Sequence, residues 1–292
     1  MKEKFDVVVV DDLSAGILKN LDNVKEQIKF IEGDIADLNL VKQIFKEDFE
    51  YVFHIAANAS VPTSVNDPRL DFNSNVLGTF NLLEVSKDSN MKKFIYASSA
   101  AVYGEPQYTP MDEKHPLSPI SPYGASKLAG ERYGFSFMST YGIKFTALRI
   151  FNSIGPRQPR YVIFDFLNKL VQNKKELEIL GTGENIRDFI SVEDVCEAFL
   201  ACAKKNITDG ESYSLGTGHS VSITQLAEQI LENLKLNDTK LKFTGFSWKG
   251  DVKKLIADGT KIKKALGLKF TPLKDALNHE IEWFQQNIDR II

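Results

Sequence analysis

The sequence has little cysteine and no long hydrophobic run. Only two of its 292 residues are cysteines, Cys196 and Cys202, and their spacing on a predicted helix points them to different faces. A disulfide framework is therefore excluded, and a reducing compartment is favoured. The longest early apolar run, residues 7–10, is far too short to span a membrane, and no signal peptide fits. These absences predict a cytoplasmic protein without a membrane partner.

An excess of charge of one sign and a metal-binding pattern are also missing. The chain carries 36 Lys and Arg against 39 Asp and Glu, which leaves a net charge of −3. A chain so close to neutrality has no basic footprint, so no nucleic-acid partner is predicted. The four histidines have no metal-ligand spacing, and no metal site is predicted; they are His54, His115, His219 and His279.

The first half of the chain alternates short apolar runs with amphipathic stretches. Buried strands are predicted at residues 5–10, 28–32, 51–56, 94–97 and 145–150, with helices at 38–45, 75–86 and 122–141. This rhythm predicts the α/β class, with a doubly wound parallel sheet covered by helices on both faces. Such sheets bind ligands at the carboxyl ends of their strands, so functional residues should follow the apolar runs.

The pattern changes after residue 150. Helices are predicted at 162–172, 224–233 and 273–287, strands at 177–180 and 240–244, and a further sheet-packing unit at 190–205. We therefore predict two interleaved lobes. Residues 1–151 with about 189–205 form a cofactor lobe, and residues 152–188 with 206–292 form a smaller substrate lobe.

Tyr123 and Lys127 are the strongest chemical signal in the sequence. Ser121 followed by Pro122 predicts a helix start, and Tyr123 and Lys127 then lie on one face of that helix. A phenol with a pKa of about 10 is too weak a base at neutral pH, but a nearby ammonium lowers that pKa. The alternative is an ordinary surface pair, because Tyr and Lys are both common.

Ser98 and Ser99 strengthen the chemical interpretation. They follow the predicted strand at residues 94–97, where an α/β active site lies. A serine hydroxyl there can hydrogen-bond a substrate oxygen while a phenolate takes its proton. The alternative is a serine-rich turn without function, but a serine at a strand end together with Tyr123 and Lys127 favours an enzyme.

Short motifs recur along nearly the whole chain at the ends of these predicted elements. They lie at residues 8–14, 33–35, 54–57, 75–79, 98–104, 123–127, 148–152, 187–190, 250–251 and 257–258. In combination they resemble the extended short-chain dehydrogenase/reductases, in the branch of NAD-dependent nucleotide-sugar epimerases and dehydratases. Within that branch the sequence is most similar to the UDP-glucose 4-epimerases, and a Rossmann-like fold is implied.

The resemblance implies that NAD is the cofactor. Asp11, at the end of a strand, would hold the adenosine ribose, and a carboxylate there selects NAD over NADP. The other residues that would contact the dinucleotide are Asp34, Ile35, Ala56, Ala57, Asn75, Ser98, Tyr123 and Lys127. Asn58 stands where the family often has an apolar residue.

The resemblance also implies a catalytic set of Ser99, Tyr123 and Lys127. Tyr123 would take the proton of the sugar 4-hydroxyl while NAD oxidises C4, and the transient 4-keto sugar would be reduced on its other face. A UDP-sugar substrate would contact Ser99 and Tyr123, with Asn152 and Arg187 on its diphosphate. The resemblance, which includes residues 250–251, also implies that Asp251 contacts the substrate.

Several alternatives to the 4-epimerase remain open. The 4,6-dehydratases carry an acidic pair where this chain has Ala100 and Ala101, which disfavours dehydration, whereas reductases and decarboxylases are less clearly excluded. A protein of another class, a non-catalytic ligand sensor, is disfavoured by the retention of all three catalytic residues. Trp248 replaces a phosphate-binding arginine of the family, so Lys249 is a candidate to neutralise that charge.

Two further expectations come from the resemblance. A two-fold homodimer is implied through the helices at 75–86 and 122–141, with Phe80, Leu83, Phe135 and Phe137 at the seam. The family begins with a strand and a Gly-x-x-Gly-x-x-Gly turn that this sequence does not contain. We expect that about 20–25 N-terminal residues, the first βα unit, are absent. The alternative is a natural variant in which the strand at 5–10 pairs directly with the next strand of the sheet and NAD binding is lost.

Overall fold

The computed structural model describes residues 5–247 and 251–291, and parallel strands form its centre. In chain order, the strands of the described residues are Val7–Asp11 (β1), Ile28–Glu32 (β2), Tyr51–His54 (β3), Lys93–Ser99 (β4), Phe145–Ile150 (β5), Asn152–Ile154 (β6), Glu176–Ile179 (β7), Ile186–Ser191 (β8), Glu211–Leu215 (β9), Ser220–Ser222 (β10), Lys240–Phe243 (β11) and Lys254–Leu255 (β12). The predicted charge neutralisation by Lys249 beside Trp248 lies outside these residues.

The helices follow the strands closely, as a parallel sheet requires. In chain order they are Leu38–Ile44 (α1), Val61–Asn66 (α2), Pro68–Asp71 (α3), Gly78–Ser86 (α4), Pro122–Tyr141 (α5), Tyr161–Gln172 (α6), Val192–Lys204 (α7), Ile223–Asn233 (α8), Thr260–Leu266 (α9) and Leu273–Ile291 (α10). A π-helical turn, Phe72–Leu77, joins α3 to α4. None of the described helices is long and apolar enough to cross a membrane.

The main sheet has the strand order β3-β4-β5-β9, and all of its neighbours are parallel. Side chains alternate along β4, so Phe94 and Tyr96 pack under α4 and α5 while Ile95 packs under α7 and α9. Helices therefore cover both faces, and the predicted doubly wound α/β fold is confirmed.

Strands β1 and β2 form a second, separate parallel pair. Within the described residues no hydrogen-bonded ladder joins β1 to β3. Asn81 of α4 connects the pair to the rest of the lobe, because its side-chain amide donates to the carbonyls of Ile35 and Ala36 at 3.0 and 2.9 Å. The carboxyl ends of β1, β2, β3 and β4 therefore border the region where ligands bind in such folds.

The second lobe packs around its own apolar core. Helices α6, α8 and α10 surround β7 and β11 in that core, which includes Phe166, Leu177, Ile230 and Phe284. Strand β8 lies between β10 and β12 and also pairs with β6. Helix α7 then packs on the main sheet.

Two sequence-based assignments need correction. The prediction that all of residues 206–292 belong to the second lobe is wrong for β9, which pairs with β5 in the main sheet, and for α9, which packs on that sheet. The predicted dimer seam is wrong for Leu83 and Phe137, which are 0% and 8% exposed in the core of the single chain. Both side chains face the main sheet because β4 and β5 lie beneath them.

Candidate active site

The end of β4 and the start of α5 approach each other closely. Ser121 caps α5 by accepting a hydrogen bond from the Gly124 amide at 3.1 Å, and Pro122 occupies the first turn, as the sequence predicts. A Cβ atom on Gly124 would lie 2.5 Å from the Ala101 carbonyl oxygen, so only glycine permits this approach. Ser99, Tyr123 and the turn Ala100–Val102 are thereby brought together.

Tyr123 is half-buried and within hydrogen-bonding reach of the Ser99 hydroxyl. Burial raises the pKa of Tyr123 to about 12, and the Ser99 hydrogen bond acts in the opposite direction. The pKa of Tyr123 is therefore raised, and the expected lowering by a nearby ammonium is wrong. Desolvation penalises the phenolate, and Lys127 directs its charge elsewhere.

Lys127 is 3% exposed and lies beneath the end of the sheet. Its ammonium donates to the Ala97 carbonyl at 2.9 Å and lies 5.0 Å from the centroid of the Tyr96 ring. Burial lowers the pKa of Lys127 to about 8, while the charge of Asp71 opposes that shift. The group can thus gain or lose a proton close to neutral pH, which is unusual for a lysine.

Ser98 has a different environment from its neighbour Ser99. Its hydroxyl donates to Glu131 at 2.5 Å, and Arg149 binds the same carboxylate through Nε and Nη2 at 3.0 and 2.9 Å. All three side chains are buried. The Ser98 hydroxyl therefore belongs to a buried ion pair, and the contact of Ser98 with the cofactor stays a prediction.

Five predicted cofactor residues lie at the carboxyl ends of β1, β2 and β3. The Asp11 carboxylate, which follows β1, accepts one hydrogen bond from the Leu13 amide at 2.8 Å. Asp34 is exposed after β2 and Ile35 is buried beside it, while after β3 Ala56 is exposed and Ala57 half-buried. Small residues beside an acceptor carboxylate suit a bound ribose and an adjoining flat base.

Asn75 is 1% exposed and does not line an open groove. Its side chain exchanges two hydrogen bonds with the main chain of Asn58, at 2.8 and 3.1 Å, and so positions that segment, while its contact with the cofactor stays a prediction. The Asn58 side-chain Nδ2 is buried and has no hydrogen-bond partner among the residues that the structure describes. An unpaired buried donor beside Ala57 fits a ligand rich in acceptor oxygens, as NAD is.

The predicted substrate residues meet on β6, β8 and the segment that precedes β12. Arg187 donates to Asp251 at 2.5 Å, and that carboxylate also accepts from Asn185 at 2.6 Å and from Ser247 at 2.5 Å. Asp251 therefore positions Arg187, and its contact with a substrate stays a prediction. Asn152 donates to the Asp188 carbonyl at 2.9 Å and joins β6 to β8.

Sequence reasoning missed several residues near the site. Tyr161, at the start of α6, donates its hydroxyl to the Ala59 carbonyl at 2.7 Å and interacts electrostatically with Tyr123. Arg157 and Arg160 reach the main chain of residues 15–20. Because these contacts join positions about 100 residues or more apart, no local sequence pattern predicts them.

The arrangement is suited to proton transfer at a substrate hydroxyl. Ser99 and Tyr123 present two hydroxyl groups at one place, and Lys127 lies one helical turn from Tyr123. Among the described residues, no group of His, Cys, Asp and Glu side chains could hold a metal ion.

Comparisons with known proteins agree with this geometry. The family model described as GDP-mannose 4,6 dehydratase matches residues 1–275. A UDP-glucose 4-epimerase of Lactobacillus helveticus is 34% identical, over 92% of this chain and 86% of that protein.

Solved structures with related sequences have the same fold. A UDP-glucose 4-epimerase from Thermotoga maritima, determined with UDP-glucose, has a TM-score of 0.90 at 36% identity and covers 97% of this chain and 92% of its own. A dTDP-glucose 4,6-dehydratase from Streptomyces venezuelae, determined with NAD, has a TM-score of 0.91 at 28% identity, with 98% and 89% covered.

Proposed function

The chain belongs to the short-chain dehydrogenase/reductase family described as GDP-mannose 4,6 dehydratase, which includes nucleotide-sugar epimerases and dehydratases, and we propose that it epimerises a UDP-hexose at C4. The observation that carries the proposal is the convergence of Ser99, Tyr123 and Lys127 at the carboxyl edge of the sheet. A ligand sensor would have no chemical need for this set.

Each member of the set has a distinct role in the proposed reaction. The Tyr123 phenolate accepts the proton of the sugar 4-hydroxyl and later returns it, while the Ser99 hydroxyl orients that oxygen. When bound, NAD supplies a two-electron acceptor for C4 and a positively charged ring. Lys127 carries a proton that it can exchange near neutral pH, and its charge favours the phenolate once it is directed toward Tyr123.

The residues of this chain that would hold NAD lie at the ends of β1 to β4. Asp11 would accept hydrogen bonds from the adenosine ribose, and Asp34 with Ile35 would border the adenine. The unpaired Asn58 amide and Lys127 would donate along the dinucleotide. The Asp11 carboxylate repels a 2′-phosphate, which supports NAD over NADP.

The turn after β4 supports epimerisation over dehydration. Ala100 is buried and Ala101 half-buried, and neither side chain can give or take a proton. Elimination of water from C5 and C6 requires such groups, whereas epimerisation requires proton transfer only at the 4-oxygen. UDP is proposed as the nucleotide because the related epimerase from Thermotoga maritima was determined with UDP-glucose. In this chain Arg187 would carry positive charge toward the diphosphate.

The test is to incubate the protein in the presence of NAD with one nucleotide sugar at a time and to separate the products. The four sugars are UDP-glucose, UDP-N-acetylglucosamine and their 4-epimers. We expect interconversion of at least one pair of 4-epimers without net consumption of NAD. A 4-keto-6-deoxy product would instead assign dehydration, and binding of NAD without conversion of any sugar would contradict the epimerase.

We also propose a two-fold homodimer through α4 and α5. The outer face of these helices, with the last residue of the π-helical turn before α4, carries partly exposed aromatic and aliphatic side chains, namely Leu77, Phe80, Tyr133 and Tyr141. Their exposure in one chain is typical of a surface that a second copy covers. Sedimentation should show a dimer that Tyr133→Glu weakens and the control Ile207→Glu, on another face, does not. A monomeric parent protein at micromolar concentration would contradict the proposal.

A further inference from the structure

Asp71 is a buried carboxylate that the proposed reaction has not yet used. It is the last residue of α3, and 1% of it is exposed. The π-helical turn Phe72–Leu77 follows directly, packs against α5 and contains Asn75. π-Helical turns occur often at functional sites because they redirect side chains within a helix.

Asp71 starts a chain of hydrogen bonds that ends on the main chain of Tyr123. Asn75 Nδ2 donates to Asp71 Oδ1 at 2.8 Å and lies 3.0 Å from the Ser126 hydroxyl. Ser126 has one hydroxyl proton, which it can donate either to Asp71 or to the Tyr123 carbonyl 2.9 Å away. The carboxylate therefore fixes two side chains that hold the first turn of α5.

Lys127 directly follows Ser126 on α5, and Asn75 connects Ser126 to Asp71, whose charge acts on the Lys127 ammonium. Burial raises the pKa of Asp71, but the hydrogen bonds from Ser126 and Asn75 and the charge of Lys127 oppose this shift. The negative charge of Asp71 in turn raises the pKa of Lys127 and that of Tyr123.

Other titratable groups around this pair come from several elements. On β4, Tyr96 has a pKa raised well above its ordinary value by burial, so it stays neutral. On β3, burial lowers the pKa of His54 to about 3, so it is neutral as well. At the start of α6, burial raises the pKa of Tyr161. Of Asp71, His54, Tyr96 and Tyr161, only Asp71 can therefore supply a negative charge to Lys127 at neutral pH.

We propose that Asp71 is a positioning residue that holds the first turn of α5 through Asn75 and Ser126 and supplies the counter-charge for the Lys127 ammonium. Its neutral isostere, Asp71→Asn, keeps the shape but removes the charge. The Lys127 proton should then be lost at a lower pH, since its negative partner is gone. Because the charge effect concerns Lys127 itself, it can be measured without turnover, although its relevance to catalysis rests on the proposed epimerase.

The experiment follows the ε-carbon resonance of Lys127 by ¹³C NMR in the full chain, assigned with Lys127→Arg, from about pH 6 to about pH 10. Asp71→Asn should lower the midpoint by about 0.5 pH unit or more. Ser126→Ala, which removes a hydrogen bond but keeps the charge, should leave the midpoint unchanged. Asp71→Glu, which keeps a carboxylate, should have a midpoint close to that of the parent. If Asp71→Asn does not fold, Asp71→Ser takes its place.

The pH–rate profile gives a second measurement. The acidic and the basic limb of the profile should both move to lower pH in Asp71→Asn. Ser126→Ala should lower the rate without moving either limb. An unchanged Lys127 midpoint in Asp71→Asn, or an equal shift in Ser126→Ala, would overturn the counter-charge role. A shifted midpoint in a chain that converts no UDP-sugar would support the role of Asp71 and contradict only the proposed function.

Discussion

At the scale of single residues, Lys127 combines a chemical role with a cost in stability. Burial lowers its pKa from 10.5 to about 8, so the unfolded chain binds this proton more tightly than the folded chain does. At neutral pH Lys127 is protonated in both the folded and the unfolded chain, and the difference between its two pKa values costs about 3 kcal/mol of folding free energy. The cost shrinks as the pH rises from about 8 to 10.5, where the folded chain has already lost the proton.

Lys127→Met should therefore abolish turnover and raise the free energy of unfolding at pH 7 by up to about 3 kcal/mol. The added stability should fall as the pH rises above about 8. Urea unfolding at several pH values measures it, with Lys42→Met on the exposed side of α1 as the control. A gain that does not change with pH would contradict the linkage.

Tyr123→Phe should lower turnover by roughly 10²- to 10⁴-fold, because a general acid–base group is lost while the ring is kept. Binding of NAD, measured by calorimetry, should change little. The matched control is Tyr133→Phe, since Tyr133 lies on the same helix but is 42% exposed and far less enclosed. Similar rates in the two variants would remove Tyr123 from the mechanism.

At the scale of elements, α5 lies unusually close to the sheet because glycine faces it. A Cβ atom at Gly134 would lie 2.1 Å from the ring of Phe145, whose exposure is 0%. Alanine is the better helix former by about 1 kcal/mol, so propensity alone predicts that Gly134→Ala stabilises the helix.

We expect the opposite result for Gly134→Ala, a loss of about 1–3 kcal/mol in the free energy of unfolding, because an enclosed ring must move. Urea unfolding measures this loss. Ser136→Ala, at an exposed position two residues further along α5, should be neutral or slightly stabilising. Because α5 carries Tyr123 and Lys127, the rate should fall as well. Equal stability of the two variants would show that α5 can shift away from the sheet.

The strength of local signals explains which elements the sequence predicts. Strands at 28–32 and 145–150 and the helix at 122–141 are predicted with the bounds that the structure has, because apolar periodicity and the Ser121 cap are local features. The π-helical turn before α4 is not predictable from periodicity. The role of Asp251 also depends on partners that only the fold brings together.

At the scale of the whole molecule, the two lobes interleave through β8 and α7. Strand β8 belongs to the smaller sheet with β6, β10 and β12, and α7 packs on the main sheet directly afterwards. Arg187 on β8 and Tyr123 on α5 thus belong to different lobes. The sequence predicts this crossing near residue 189, but β9 could be assigned to the main sheet only from its pairing with β5.

The overall pH dependence of folding should depend strongly on Glu280 in α10. Glu280 is 2% exposed, and its hydrogen bond from the Gly155 amide at 3.1 Å connects α10 to the loop after β6. Burial raises its pKa from 4.5 to about 8. Between these two values the unfolded chain has released the proton that the folded chain retains, so stability falls as the pH rises.

Glu280→Gln should remove this pH-dependent loss, which amounts to at most about 5 kcal/mol at pH 8. The glutamine side chain can still accept from the Gly155 amide and carries no charge to desolvate. Urea unfolding at pH 5 and pH 8 should therefore show similar stability of variant and parent at the lower pH and a more stable variant at the higher one. Glu282→Gln, on the exposed side of the same helix, should show no such difference. Subtracting the free energy of unfolding of the parent from that of Glu280→Gln cancels the contribution of every other titrating group. If this difference were equal at pH 5 and pH 8, Glu280 would ionise freely in the folded chain.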